Sequence, residues 1–298
     1  MLDICASIFG YLLNFLYDKI GNYGIAIILF TILVKLILLP ISVKQQKTMK
    51  KTAKVQAELK ILQEKYSNDQ VRLGQETMDL YNRENLSPFA GCLGSIVQMI
   101  LILSVFFLVS RPLTFMRHLD TELIAKYQSE VIAENEEAAR YPEIAIIKMK
   151  GPQDENVNIN MNFFGLDLSD VPSQNYTDWK VYIIPGLYVI TSVISTKLTT
   201  AMNKKKQEEK DSKEPIVVKK EVKPNDKDKA LEVTKNEDNK DLDTMDEVNK
   251  QMAIMMPLMS VSIALIAPLG LALYWLVSNL LSIVERIVLN KQSKNEEE

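Results

Sequence analysis

The chain is poor in the residues that carry out chemistry. It has one histidine, His118, and two cysteines, Cys5 and Cys92. A serine hydrolase needs a base beside its nucleophile, and no long apolar stretch contains a histidine. The arrangement left open is a serine–lysine dyad, Lys35 with Ser104 or Ser195. Two isolated cysteines do not make a metal site. They are expected near opposite membrane faces, so no disulfide is expected between them. There is no HExxH pair, no glycine-rich phosphate loop and no pair of membrane carboxylates. Ion-driven transport usually leaves acidic or discontinuous-helix signatures. Here no Asp or Glu falls in the first four apolar blocks, and Glu285 stands at the end of the fifth. These gaps argue against an enzyme and against a coupled pump, and no cofactor or metal is expected. Residues 1–19 also lack the basic start of a cleavable signal and carry Asp3. Their apolar residues suggest a short helix in the outer interface instead.

What is present is apolar length. The overall hydrophobic fraction is 47%, an ordinary value for a soluble protein. The average conceals blocks at 24–43, 93–110, 181–196, 252–267 and 269–289. A straight span needs about 20 apolar residues, so the expected fold is an all-α polytopic membrane protein with five spans. Between the blocks charge is dense and uneven. Residues 40–87 carry nine Lys or Arg against six Asp or Glu, and residues 111–178 carry six against twelve. Lys197 and Lys204–Lys206 follow the third block, and Arg286, Lys291 and Lys294 follow the fifth. Positive charge beside span ends marks the cytoplasmic side. The N-terminus and 111–178 are therefore expected outside, and the C-terminus inside.

The expected organisation is an interfacial helix over 1–20, span one over 21–43, a cytoplasmic antiparallel helical hairpin over 44–87 and span two over 88–110. An extracytoplasmic loop fills 111–178. Span three covers 179–199, a charged cytoplasmic loop 200–250, span four 251–267, span five 268–290 and a tail 291–298. The hairpin rests on two apolar stripes: Val55, Leu59, Leu62 and Tyr66, then Val71, Met78 and Tyr81. Residues 204–250 hold thirteen Lys, fourteen Asp or Glu and no aromatics. Such a stretch cannot bury enough surface to order itself, so it is expected to be a tether.

Lys35 stands alone in the first apolar block. An intramembrane charge is costly and usually kept for function. Thr31 lies four residues before it and shares its helical face. Gln98, Ser104, Thr191, Ser192, Ser195, Ser278 and Asn279 are the neutral polar residues of the other blocks. If they converge with Lys35, they line a wet, cationic cavity that would take up an acidic or polar peptide segment. The competing reading is snorkelling. Lys35 is nine residues before Lys44, about 13 Å along a helix, and its stem could reach the interface. Individually, Thr31, Ser104 and Thr191 read first as helix-packing residues, and Met252, Met255, Met256 and Met259 as core filling or a lipid contact before a substrate contact. Lys44, Lys47, Lys50, Lys51, Lys54 and Lys60 give the hairpin a basic face, which anionic lipid would attract.

Together these motifs resemble the YidC-type membrane protein insertases. The matching stretches are Asn22-Tyr-Gly-Ile-Ala-Ile-Ile-Leu29 with Leu39-Pro40, Lys44-Gln-Gln-Lys47, Leu80-Tyr81, Ser87-Pro88, Gly91-Cys-Leu93 with Gln98, and Ile184-Pro-Gly186. The strongest is Pro268-Leu-Gly-Leu-Ala-Leu-Tyr-Trp275 with Ser278-Asn279. The resemblance implies the five-span bacterial form without the large periplasmic domain, in the bacterial plasma membrane. It implies a hydrophilic groove open to lipid and cytoplasm and closed outside. Lys35 falls where the family usually has arginine, and Thr31, Tyr274 and Trp275 fall where relatives line the groove or contact substrate. Tyr274 and Trp275 read equally as inter-span packing. Lysine keeps the charge of arginine but not its planar fork. Gly94 stands where the family often has proline, and 111–178 and 197–250 are long for simple members.

The implied activity is insertion and folding of membrane proteins, alone or with the Sec channel. The implied partners are nascent membrane proteins, the ribosome, the Sec translocon and anionic lipids, with no sequence recognition of nucleic acid and a monomeric insertion unit. Two other classes remain on sequence grounds. A small-solute transporter or channel would need a path open in turn to both faces, and no internal repeat supports one. A scaffold would work through its charged loops without its spans.

Overall fold

The computed structural model describes residues 2–67, 69–86, 90–211 and 262–295. Most of the expected tether at 200–250 and of span four at 251–267, with its methionine cluster, lies outside the described residues.

Helix α1 runs Leu2–Ile20. Gly21, at φ 70°, then turns the chain into α2, Tyr23–Lys65. Asn22 caps α2, its side chain accepting from the Ile25 N–H. Pro40 withholds one N–H from the ladder, yet α2 does not end there and continues to Lys65. Helix α3, Gln70–Arg83, is capped by Asp69. It runs back along lower α2: Arg83 pairs with Glu58, and the Tyr66 hydroxyl donates to Glu76 at 3.4 Å. Helix α4 spans Ala90–Ser110.

Residues 111–178 form a small packed body. It contains α5 (Pro112–Phe115), α6 (Thr121–Glu134), a 3₁₀ turn at Glu136–Arg140 and α7 (Pro142–Lys150). A two-residue strand pair follows, β1 (Asn162–Phe163) and β2 (Leu166–Asp167), antiparallel. Pro142 occupies the first turn of α7, where its missing N–H costs nothing. A 3₁₀ turn at Trp179–Tyr182 leads into α8, Ile183–Asp211, and the last helix, α9, covers Leu269–Asn295. Among the described residues, three helical stretches are long and apolar enough to cross a membrane: Tyr23–Gln45, Trp179–Leu198 and Leu269–Leu289. The fold is that of an α-helical polytopic membrane protein.

The end of the bundle joined to 111–178 is here termed upper. At this end α2 packs on α1, α4 and α9, and α9 packs on α8. Tyr23, Ala26, Ile27, Phe30, Val105, Leu108, Leu271 and Tyr274 are buried there. Helix α1 descends against both neighbours, its Phe9 ring 5.8 Å from Phe30. Gly10 is required at this crossing, because a Cβ would lie 1.8 Å from the Phe115 carbonyl oxygen. Arg117 fixes the same corner. It donates to Asp18 at 2.9 Å and to Asn14 at 3.2 Å, and lies over the Tyr17 ring.

The loop body caps the helix ends. The N–H of Tyr23 donates to the Asn160 carbonyl, and the N–H groups of Leu269 and Gly270 donate to the carbonyls of Asp170 and Leu168. First-turn donors have no partner within their own helix, so these bonds supply what α2 and α9 lack. Inside the body, buried Glu143 accepts from the N–H groups of Leu113 and Thr114 at 2.8 and 2.9 Å, and from the Thr114 hydroxyl at 2.6 Å. Burial pushes its carboxyl above the usual carboxylate range, although these donors and Arg111 act in the opposite direction.

Candidate functional site

Lys35 lies twelve residues into α2, about 18 Å from its start, which is just past the middle of a bilayer about 30 Å thick. Its ammonium donates to the Ser282 hydroxyl at 2.8 Å and lies 3.7 Å from Glu285 Oε2. Ser282 in turn donates to the Ser278 carbonyl at 2.8 Å. The Lys35 and Glu285 side chains are 25% and 13% exposed. The sequence suggested a cation without a counter-ion. The fold supplies one from α9, because α2 and α9 both start at the upper end and run side by side. Charge at this point is therefore balanced within the chain. Ser282, rather than Ser104 or Ser195, is the serine that Lys35 engages.

Glu285 and Ser282 escaped the sequence reading, though a signal for them was there. Tyr274, Ser278, Ser282 and Glu285 succeed one another at spacings of four, four and three, which places them on one face of a helix. Glu285 reads as a span-end charge only if α9 is taken by itself.

The other candidates divide into two groups. Thr31 and Ser104 are buried, and their hydroxyls donate to the carbonyls four residues back, Ile27 at 2.7 Å and Ile100 at 2.8 Å. Their hydrogen-bond donors are used within their own helices. The second group joins α8 to α9. Asn279 donates to the Thr191 hydroxyl at 3.3 Å, Thr191 donates to the Tyr188 carbonyl at 2.9 Å, and the Tyr188 and Trp275 rings lie 5.9 Å apart. Trp275 and Asn279 thus hold α8 in place. Ser192 and Ser195 lie half-buried on α8, and the Ser192 carbonyl accepts from Thr196. Tyr274 is buried on α9. Gln98 lies on α4, with its side chain outside the described residues. On lower α2, Lys44 and Lys51 are exposed. The side chains of Lys47, Lys50, Lys54 and Lys60 lie outside the described residues.

Packing loosens toward the depth of Lys35, with Ile25, Leu29 and Leu33 on the outward face of α2 above it already 37–38% exposed. Above it, Phe30, Thr31 and Val34 are buried; below it, Leu36 and Ile37 are 60% and 67% exposed. Helix α9 repeats the pattern, with Leu271–Tyr274 buried and Leu280, Val284 and Ile287 exposed. Helix α4 does so in the reverse direction, exposing Ile96, Val97 and Met99 and burying Val105, Leu108 and Val109. The polar cluster sits at the floor of the closed half. Among the described residues, no three His, Cys, Asp or Glu side chains converge as a metal site.

An α-helical membrane bundle with an ion pair between two spans defines a broad class. Sequence comparison narrows it. The 60Kd inner membrane protein family matches residues 15–219 and 227–297, and the chain belongs to that family. The membrane protein insertase YidC of Fusobacterium nucleatum subsp. nucleatum is 40% identical over 104 residues, 35% of this chain and 51% of that protein. That of Caldanaerobacter subterraneus subsp. tengcongensis is 39% identical over 101 residues, 34% of this chain and 49% of that protein. That of Syntrophus aciditrophicus is 48% identical over 87 residues, 29% of this chain and 16% of that protein. The matches thus span about half of the first two relatives and about a sixth of the third. With its apolar helices, membership of this family makes the chain a multi-pass bacterial membrane protein.

Proposed function

We propose that this protein is a membrane protein insertase and folding chaperone. It draws polar or acidic segments of client proteins against Lys35 and releases their apolar segments into lipid. The observation that carries this reading is the contact of Lys35 with Ser282 and Glu285 at the depth where the bundle stops being packed. An incoming client carboxylate replaces Glu285 as the partner of Lys35. The exchange keeps the ammonium paired, so the client carboxylate meets a cation at this depth, while the released Glu285 turns toward the cytoplasmic end of α9. No covalent step is involved.

The working arrangement has five spans and a monomeric insertion unit. The N-terminus and 111–178 lie outside. The hairpin of lower α2 with α3, the segment 200–250 and the C-terminus lie in the cytoplasm. The bonds from residues 160–170 to the ends of α2 and α9 hold the outer side closed. Lys44, Lys47, Lys50, Lys51, Lys54 and Lys60 offer a basic face to nascent chains, the ribosome or anionic lipid, and the Sec channel is a further partner.

The test is insertion of a small single-span client with an acidic outward tail into liposomes containing only the purified protein, scored by protease protection of the tail. Protection above empty liposomes, lost in Lys35→Ala and kept in Lys35→Arg, is the expected result. Equal protection with folded Lys35→Ala protein would sink the mechanism.

A further inference from the structure

The strand pair β1–β2 carries a residue that its turn does not favour. Phe163 pairs with Leu166, leaving Phe164 and Gly165 as a two-residue loop at φ 51° and 81°. Such a turn needs positive φ at both positions and is usually built from Asn-Gly or Asp-Gly. A bulky residue with positive φ is an outlier, and strain of this kind collects where a side chain has work to do. Phe164 is also 89% exposed, so packing within the protein does not explain it.

The fold fixes where this ring sits. Phe163 packs on the first turn of α2, where its ring would lie 2.4 Å from a Cβ at Gly24. The Phe164 ring is 4.8 Å from that of Phe163. The Asn162 carbonyl accepts from the Asn22 side chain at 2.7 Å, locking the strands to the cap of α2. Phe164 is therefore level with Tyr23, where the apolar stretch Tyr23–Gln45 begins. A second exposed aromatic stands across a recess from the hairpin tip. Trp179, 69% exposed, opens the apolar stretch Trp179–Leu198. One recess, lined by Gly165, Leu166, Asp178, Lys180 and Leu269, separates the hairpin tip from the Trp179 turn.

We infer that Phe164 and Trp179 form a lipid anchor, inserted at the glycerol–acyl boundary of the leaflet that faces 111–178. The amphipathic ring of Trp179 favours this depth, an exposed Phe164 ring gains by leaving water, and the strained turn is held so that Phe164 reaches the acyl side. The recess is lined by Asp167, Asp170 and Asp178 against Lys180, with Asp170 paired to Lys148, so its charge gives anionic headgroups no net attraction and zwitterionic lipid suffices. The anchor ties the loop body to the bilayer as well as to α2 and α9. It requires only that α2 and α8 span the membrane, and it stands apart from the role of Lys35.

The test uses the full chain with Cys5→Ala and Cys92→Ala, in phosphatidylcholine nanodiscs. An environment-sensitive fluorophore is placed at Phe164→Cys, or at exposed Glu155→Cys as the control. The label at 164 is expected to be quenched at least about twofold more by lipid spin-labelled near the headgroup, and several-fold less by aqueous iodide, than the label at 155. Equal quenching at both sites overturns the inference. Phe164→Asn without a label provides a second reading, because Asn relieves the turn. Amide exchange over 163–168 in nanodiscs rises several-fold if lipid holds the hairpin. Unchanged or slower exchange overturns the inference.

Discussion

The upper and lower halves of the bundle are made of similar residues and used in opposite ways. In the upper half, α1, α2, α4 and α9 bury their apolar side chains against one another and against the loop body. First-turn donors of α2 and α9 bond to loop carbonyls. In the lower half, apolar side chains of α2 and α9 face outward, and the polar contacts are between side chains, Lys35 with Ser282 and Glu285. A backbone carbonyl that caps a helix cannot be exchanged without unfolding that end. A carboxylate opposite an ammonium can be exchanged for another carboxylate. The upper half is thus made rigid by backbone bonds and close crossings, while the lower half is held by replaceable side chains.

The comparison can be broken most severely at Gly10. Gly10→Val drives a side chain into the Phe115 backbone, which cannot move aside as a side-chain tip would. The expected loss is about 3 kcal/mol or more, read as a lower thermal midpoint in detergent. An unchanged midpoint would show that the upper half is not close-packed at this crossing.

Next in size is Glu143. Glu143→Ala strands the buried N–H groups of Leu113 and Thr114, at a cost of about 2 kcal/mol. The native residue also sets a pH dependence. Its folded pKa is raised by burial, so the folded state holds this proton more tightly than the unfolded state does. Its contribution is full below the ordinary carboxylate value and fades as pH rises through the folded value. Thermal melts at mildly acidic and at alkaline pH should show the loop body more stable in acid. Glu143→Gln, which cannot titrate, should flatten that slope, and a slope unaltered in Glu143→Gln would assign it to another group.

In the lower half the expected effects fall on insertion rather than on stability. Lys35→Ala leaves Glu285 without its cation and should lower insertion of an acidic-tailed client several-fold. Glu285→Gln removes the competitor for Lys35 and should raise insertion of the same client, most clearly when its tail carries a single carboxylate. A fall in insertion with Glu285→Gln would mean that Glu285 assists the client instead of yielding to it. The smallest effect belongs to Asn279→Ala. It removes a 3.3 Å bond to Thr191, and should cost about 0.5–1 kcal/mol with little change in insertion. A large insertion defect would move Asn279 from holding α8 to meeting clients.

The sequence alone placed the apolar blocks that become α2, α8 and α9, because hydrocarbon demands continuous length and each stretch meets that demand by itself. It also picked out Lys35, since a charge in an apolar run is visible without any neighbour. Two prolines sit where only the folded backbone decides their effect: Pro142 starts a helix because a first-turn residue needs no N–H, and Pro40 lies inside α2. Tertiary structure decided everything that depends on a partner. Glu285 became the counter-ion of Lys35, with 250 positions of sequence between them, because α2 and α9 descend side by side. Thr31 and Ser104 bond within their own helices, and Trp275 stacks against α8 rather than joining Lys35. Periodicity fixes which residues share a face of one helix, but not which face of another helix it meets. That register is set by the bulk at each crossing, such as Gly10 on Phe115 and Gly24 on Phe163, and such contacts exist only once the chain has folded.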